Sequence, residues 1–143
     1  MKLKILATVA LLTTISIATP VKAENSTQVK QLLETGACPS CNLAGANLKN
    51  AHLIGADLRN ANLQGASLVN ANLEGADLSR ANLKEANLTG AFISGTSLTN
   101  ANLTNVNFTN AQLYNADVTD AALSGINLTG AELINTNISV GGE

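Results

Sequence analysis

The chain is poor in aromatic residues and in charge. Its 143 residues include no Trp, one Tyr and two Phe, although 45% of them are hydrophobic. Aromatic rings normally supply much of a globular core, so this core must be filled by small aliphatic side chains. Charged residues make up only 13% of the chain and the net charge is −2. That composition excludes the basic stripe that binding to nucleic acid requires.

Residues with catalytic or metal-binding chemistry are also scarce. Histidine occurs once, at His52, and cysteine twice, at Cys38 and Cys41. One histidine cannot build a metal site that needs several histidines, and we expect His52 to be an ordinary surface residue. We therefore predict a protein that is not an enzyme, with no catalytic residue, no cofactor and no metal.

The first 23 residues have the pattern of a secretory signal peptide. Two lysines precede an uncharged, largely apolar run at residues 5–18, and Val21–Ala23 supplies the small residues of a cleavage site. The run is shorter than the ~20 residues that span a bilayer. We predict a mature chain that starts at Glu24 and is exported to the periplasm, the thylakoid lumen or the extracellular medium. No membrane association is expected after cleavage.

From residue 41 to residue 140 the sequence repeats every five residues without insertion or deletion. The centres of the twenty repeats are sixteen Leu, two Ile, one Phe and one Val, and Ala stands two residues before the centre in fifteen repeats. An α-helix would scatter residues five apart around its axis, and a straight strand would alternate them between its faces. Only a chain that turns a corner every five residues keeps all the centres inside.

The second residue after each centre predicts the number of sides. Gly and Asn alternate there from Gly45 to Gly75. Both tolerate positive φ but suit different turns, so two alternating corner types favour an even number of sides. We predict four sides, twenty residues per coil and about five coils. The alternation lapses after Gly75.

The pattern A-[ND]-L-x-[GN] resembles the pentapeptide repeat family. The resemblance covers residues 41–140. It implies an all-β solenoid, specifically a right-handed quadrilateral β-helix, in which the central Leu and the preceding Ala point inward. The other three positions of each repeat would then point outward.

The lead-in at residues 24–40 predicts a short N-terminal capping helix. Ser26 or Thr27 can cap a helix that continues to about Thr35, where Gly36 can stop it. Such a helix would cover the apolar end of the first coil, because solenoids need a cap with a polar outer face.

The Cys-x-x-Cys of the lead-in has several interpretations. In an exported chain we expect Cys38 and Cys41 to form a structural disulfide that joins the cap to the first coil. A redox-active pair, free thiols and a labile metal site are the alternatives. A polar helix followed by Cys-x-x-Cys is also similar to the lead-in of exported cyanobacterial pentapeptide-repeat proteins.

With twenty residues per coil, outward residues stack in columns, and one outer face is the most apolar. We predict a partner-binding surface there. Its residues are Ile54, Phe92, Tyr114 and Ile134. On another face Asp57 and Asp77 lie on adjacent coils; we interpret them as a solvated acidic stripe, with a weak cation site as the alternative.

These features predict a non-enzymatic exported scaffold that is a structural or protein-interaction module with an unidentified protein partner. One alternative is a thiol–disulfide redox protein that acts through Cys38 and Cys41. Another is a DNA-mimicking topoisomerase inhibitor, which resemblance to cytosolic members of the family implies; the signal peptide and the low charge disfavour it. The tail at residues 141–143 supplies no plug for the last coil, so we also hypothesise a homodimer through that end.

Overall fold

The computed structural model describes residues 21–138, with side chains from residue 26 onward. Most of the predicted signal peptide and the predicted tail at residues 141–143 lie outside this range. The described chain contains one helix, α1 (Val21–Thr35), and two short strands, β1 (Gln112–Tyr114) and β2 (Glu132–Ile134).

The rest of the chain winds as a coil in which residues twenty positions apart lie side by side. Parallel bridges join Ala37 to Asp57 and Asn42 to Asn62, and the same register continues to the end of the coil, where β1 pairs with β2. Successive bridges are five residues apart, so each coil has four sides, as the corner pattern predicts. Each side is so short that most pairings are single bridges, which explains why a β-solenoid has so few strands.

Two sets of backbone hydrogen bonds hold the coil together. From Cys38 to Phe108 the amide of each central residue donates to the following coil, and from Asp57 to Glu132 the amide before the centre donates to the preceding coil. Leu63 N, for example, donates to Asn82 O at 2.7 Å, and Asn62 N donates to Cys41 O at 2.8 Å. Ala66 N closes the intervening corner by donating to Leu63 O at 3.0 Å. A four-residue hydrogen-bonded turn of this kind forms most of the corners.

The interior is a stack of aliphatic side chains. Every central residue from Leu43 to Leu113 is at most 1% exposed, and Phe108 is the one aromatic residue among them. Burying a side chain of this size stabilises a fold by about 1.5–3 kcal/mol. The close packing of this narrow interior is consistent with the scarcity of aromatic residues in the sequence.

The solenoid begins one pentapeptide before the predicted boundary at residue 41. Cys38 N donates to Asp57 O, and Ser40 N donates to Arg59 O, both at 2.8 Å. Cys38 lies five residues before Leu43 and is fully buried, so it occupies a central position. Ser40 turns the corner at a φ of 60°.

Helix α1 packs on the N-terminal end of this coil. Leu32 is 1% exposed and belongs to the core, and Val29 packs against it. The side-chain oxygen of Gln28 accepts a hydrogen bond from Asn42 N at 2.6 Å, and Gln31 Nε2 donates to Ala37 O at 3.0 Å. The first coil thus has both apolar and polar contacts with α1.

The C-terminal end of α1 agrees with the prediction, and its N-terminal end does not. Gly36, at a φ of 68°, donates its amide to Leu32 O and ends the helix as predicted. The helix begins at Val21, however, and not at a cap formed by Ser26 or Thr27. A cap is worth only about 1 kcal/mol, and no Gly or Pro interrupts the helix between Val21 and Thr27.

Candidate functional site

An apolar outer patch lies on the side of the coil that contains β1 and β2. The rings of Phe92 and Tyr114 meet edge to face, with centroids 6.2 Å apart and planes at 86°. Tyr114 on β1 pairs in register with Ile134 on β2, and Ile134 is 52% exposed. We call Phe92, Tyr114 and Ile134 the aromatic patch. Its residues project from three successive coils of one rigid side.

A hydrogen bond fixes the position of the tyrosine in this patch. The Tyr114 hydroxyl donates to a carboxylate oxygen of Glu132, two residues before Ile134. This bond, with the nearby negative charge, raises the pKa of Tyr114 above its ordinary value of 10.0. The phenol therefore stays neutral and oriented, which preorganises the ring for contact with a partner.

Ile54, the fourth residue predicted for this surface, lies apart from the aromatic patch. It shares a column with Tyr114, but Glu74 and Ser94 stand between them in the twenty-residue register. Three coils separate the two residues, or about 14 Å at the usual spacing of paired strands. Ile54 is 61% exposed. The structure thus brings together three of the four residues and leaves Ile54 as an isolated exposed side chain.

Cys38 and Cys41 form a disulfide inside the first coil, with their Cα atoms 5.4 Å apart. The two residues are 0% and 8% exposed. The bond joins two inward positions across one corner, and it does not join α1 to the coil as the sequence suggested. Thiol–disulfide exchange requires access of an attacking thiolate to a sulfur. This burial offers little access to a redox partner.

The acidic column contains carboxylates that are already engaged by neighbouring donors. Arg59 donates from Nε and Nη2 to Asp57, at 2.8 and 2.7 Å. This side-chain hydrogen bonding lowers the pKa of Asp57. Asp77 accepts from the amide and hydroxyl of Ser79, at 2.9 and 2.5 Å. Within residues 21–138, no group of three or more His, Cys, Asp or Glu could hold a metal ion.

His52 lies at the start of the column that leads to Phe92. It is exposed, and its backbone pairs with that of Asn72 on the next coil. In the part of the chain that the structure describes, no helix has the length and apolar character needed to cross a bilayer.

A four-sided coil of five-residue sides, with a filled aliphatic interior, places this chain among the β-solenoid repeat proteins. The model of the family described as pentapeptide repeats matches eight copies at residues 41–80, and that described as a pentapeptide repeat region matches residues 61–138. The chain belongs to the pentapeptide repeat family. Proteins of this family fold as right-handed quadrilateral β-helices.

Several solved structures are similar to the chain. A pentapeptide repeat protein of the Arabidopsis thaliana thylakoid lumen is 34% identical, over 73% of this chain and 70% of that one, with a TM-score of 0.42. One from the cyanobacterium Cyanothece 51142 is 28% identical, over 78% and 92% of the two chains, with a TM-score of 0.43. QnrB1, a plasmid-mediated fluoroquinolone resistance protein, is 20% identical, over 68% and 67%, with a TM-score of 0.48. No curated protein matches the chain.

Proposed function

We propose that the protein is a non-enzymatic exported scaffold that binds a partner protein through the aromatic patch. The observation that carries the proposal is the edge-to-face pair of Phe92 and Tyr114 beside the exposed Ile134. Aromatic side chains held in one orientation bury a large area at little entropic cost, which makes them frequent anchors of protein interfaces. A solenoid side supplies a flat and rigid base for such anchors.

The charge of this half of the molecule indicates the chemistry of the partner. After Lys84 the sequence contains no Lys or Arg, whereas Asp117, Asp120 and Glu132 follow. A basic segment with an apolar side chain for the aromatic patch would complement this surface. Binding should then weaken as salt increases, because surface charges are screened at high ionic strength.

The proposed export rests on the predicted signal peptide and on the disulfide between Cys38 and Cys41, a bond that persists in oxidising compartments. The similar protein of the Arabidopsis thylakoid lumen is consistent with export. Cell fractionation with intact-mass measurement tests this part of the proposal. A mature protein that starts at Glu24 is expected, and an unprocessed protein retained in the cytosol would refute export.

A photo-crosslinking amino acid at Ser94, beside the patch in the column register, provides the test of partner binding. We expect one crosslinked protein in the native compartment. The double variant Phe92→Ser/Tyr114→Ser should lose it, whereas Ile54→Ser, an exposed isoleucine on the same side, should retain it. Equal crosslinking by the double variant, with its solenoid still folded by circular dichroism, would exclude the aromatic patch as the binding surface.

We propose self-association as a property separate from partner binding. Leu133 in β2 is 37% exposed, although it is a central residue. A second copy could cover this apolar edge. Light scattering over a concentration series tests the idea, with Leu133→Lys as the variant that should abolish any dimer. A wild-type chain that stays monomeric at high concentration would refute self-association.

Two other functions are less well supported. A redox role would need an accessible sulfur, and Cys38 is fully buried. A double Cys→Ser variant that retains full function would exclude that role. Mimicry of DNA needs a strongly acidic surface, whereas the predicted mature chain carries ten acidic and five basic residues. No change in DNA supercoiling on addition of the protein would exclude the topoisomerase hypothesis.

A further inference from the structure

A groove of about 260 Å³ runs along the corner that follows Asp57, Asp77 and Ser97, away from the side that carries the aromatic patch. Two arginines from adjacent coils lie among hydroxyl and amide side chains. The lining residues are Arg59, Asn60, Ser79, Arg80, Thr99 and Asn100. We call this the Arg80 groove.

The unused polar groups of the Arg80 groove are mainly N–H donors. The side chains of Arg80, Asn60 and Asn100 make no hydrogen bond or ion pair with another described residue. Arg59 uses Nε and Nη2 for Asp57, which leaves its Nη1 group. The hydroxyls already have partners. Ser79 bonds Asp77 and Ser97, at 2.5 and 2.9 Å, and Thr99 donates to Asp117 at 3.1 Å.

Asp57 and Asp117 beside the groove are engaged by donors of their own repeats, and neither lines it. Asp120, one coil beyond Asn100 at the same corner, does not line it either. Asp57 receives both bonds from Arg59, at 2.8 and 2.7 Å. Asp117 accepts from the amide and hydroxyl of Thr119, at 3.0 and 2.6 Å. The guanidinium of Arg80 therefore remains available for an anionic group from outside the chain.

The positive φ of Arg80 indicates that this residue has a role beyond forming the turn. Asn60, Arg80 and Asn100 follow one another at this corner with φ of 58°, 60° and 58°. Asn tolerates this left-handed conformation, whereas a long side chain such as Arg carries a strain of about 1 kcal/mol. Glu85 has a similar φ of 62°, but its carboxylate pairs with Lys84 at 3.6 Å. Arg80 combines a strained backbone with a guanidinium that has no partner among the described residues.

We propose that the Arg80 groove binds a small oxyanion, a phosphate or a carboxylate group. Arg80 supplies the main charge-assisted hydrogen bonds, and Arg59 Nη1 and the amide groups of Asn60 and Asn100 supply additional donors. Planar guanidinium groups bind such anions in a bidentate manner. The site is independent of the proposed partner surface, because the two lie on different parts of the coil.

The test is a titration of the isotope-labelled, disulfide-intact chain with inorganic phosphate, followed by NMR of its amide and guanidinium groups. Ionic strength is held constant with chloride. We expect saturable shifts confined to residues of the groove. Parallel titrations with sulfate and acetate distinguish a phosphate-like ligand from a carboxylate, and either preference supports the proposal. Shifts that chloride alone reproduces would overturn it.

Arg80→Asn is the decisive variant, because it gives this corner the residue found at Asn60 and Asn100. It should fold at least as stably as the wild type, and loss of the charge-assisted bonds should weaken anion binding about tenfold or more. Lys49→Gln removes one exposed charge elsewhere and should leave the affinity unchanged. Equal binding by Arg80→Asn, or an equal loss in Lys49→Gln, would show nonspecific charge effects and refute the site.

Discussion

Corner residues are constrained by the neighbouring coil as well as by their own turn. A Cβ added at Gly90 would lie 2.4 Å from Oδ1 of Asn70, twenty residues earlier, and Gly130 has the same relation to Asn110 at 2.2 Å. The amide of one coil therefore occupies the space above the glycine of the next. At these corners the choice of residue therefore depends on its column and not only on its place in the chain.

A comparison of Gly90 with Gly95 distinguishes the cost of this contact from the cost of the backbone conformation. Gly90 and Gly95 have similar φ values of 66° and 61°, but an added Cβ at Gly95 meets nothing within 4 Å. Gly95→Ala should cost about 1 kcal/mol for the left-handed backbone alone. Gly90→Ala should cost up to about 1 kcal/mol more, because the exposed side chain of Asn70 must rotate away from the added Cβ. Urea unfolding measures both. Adding Asn70→Gly should relieve the excess cost, and equal costs for the two alanine variants would contradict the contact.

The single tyrosine reports on the aromatic patch without interference. The hydrogen bond to Glu132 raises the pKa of Tyr114, and the chain has no Trp to mask phenolate absorbance. Spectrophotometric titration should place ionisation of Tyr114 above its ordinary pH. Glu132→Gln should lower the pKa, because the carboxylate charge that opposes phenolate formation is gone. An unchanged titration curve would mean that the two side chains do not interact in solution.

At the scale of the elements, α1 is joined to the solenoid by one face. Leu32 is 1% exposed and lies in the core, while the adjacent Leu33 is 52% exposed. Gln28 and Gln31 add hydrogen bonds to Asn42 N and Ala37 O, at 2.6 and 3.0 Å. The helix covers apolar surface that water would otherwise reach, so its attachment should control the stability of the first coil.

The adjacent leucines provide a matched test of this attachment. Leu32→Ala should destabilise the protein by about 2–5 kcal/mol, the usual range for a buried leucine. Leu33→Ala should change stability by less than about 0.5 kcal/mol, as expected for an exposed site. Urea unfolding gives the totals, and hydrogen exchange at Leu43 and Leu48 shows whether the first coil loosens. Similar effects of both variants would argue against docking of α1 through Leu32.

The sequence predicted the repeating elements better than their ends. Every centre from Leu43 to Leu113 is buried because one aliphatic side chain every five residues permits no other arrangement. The pentapeptide at Gly36–Ser40 does not match the repeat pattern, because Cys38 stands where Leu is usual and Ala37 where Asn is usual, although its five-residue spacing continues that of the repeats. The column register predicts that Ile54 accompanies Tyr114, but the polar residues Glu74 and Ser94 lie between them in that column.

At the scale of the whole molecule, protection from water changes along the axis. The central residues are at most 1% exposed as far as Leu113, then 4% at Val118 and 37% at Leu133. Leu103 N still donates to Ala122 O at 2.9 Å. Leu123 and Leu128, in the last described coil, are only partly buried. The molecule is therefore tightly closed through its middle and more open towards residue 138.

Hydrogen exchange followed by mass spectrometry should detect this gradient. Amides of the middle coils, such as Leu63 N and Leu83 N, should exchange slowest. Their coils are hydrogen-bonded to a neighbouring coil above and below, and their side chains are buried in the core. Leu128 N should exchange at least tenfold faster. Uniform protection along the whole axis would contradict the open arrangement of the last described coil, or would show that another chain covers it in solution.

The twenty-residue register also fixes how such a molecule can grow or shrink. Insertion of twenty residues between Arg80 and Phe92 would add one complete coil. The Arg80 groove and the aromatic patch would keep the same angle to each other around the axis. Insertion of five residues would keep the core equally well filled but rotate everything beyond it by a quarter turn. The length of an insertion in a solenoid of this kind therefore sets the angle between two binding surfaces around the axis, without altering either surface.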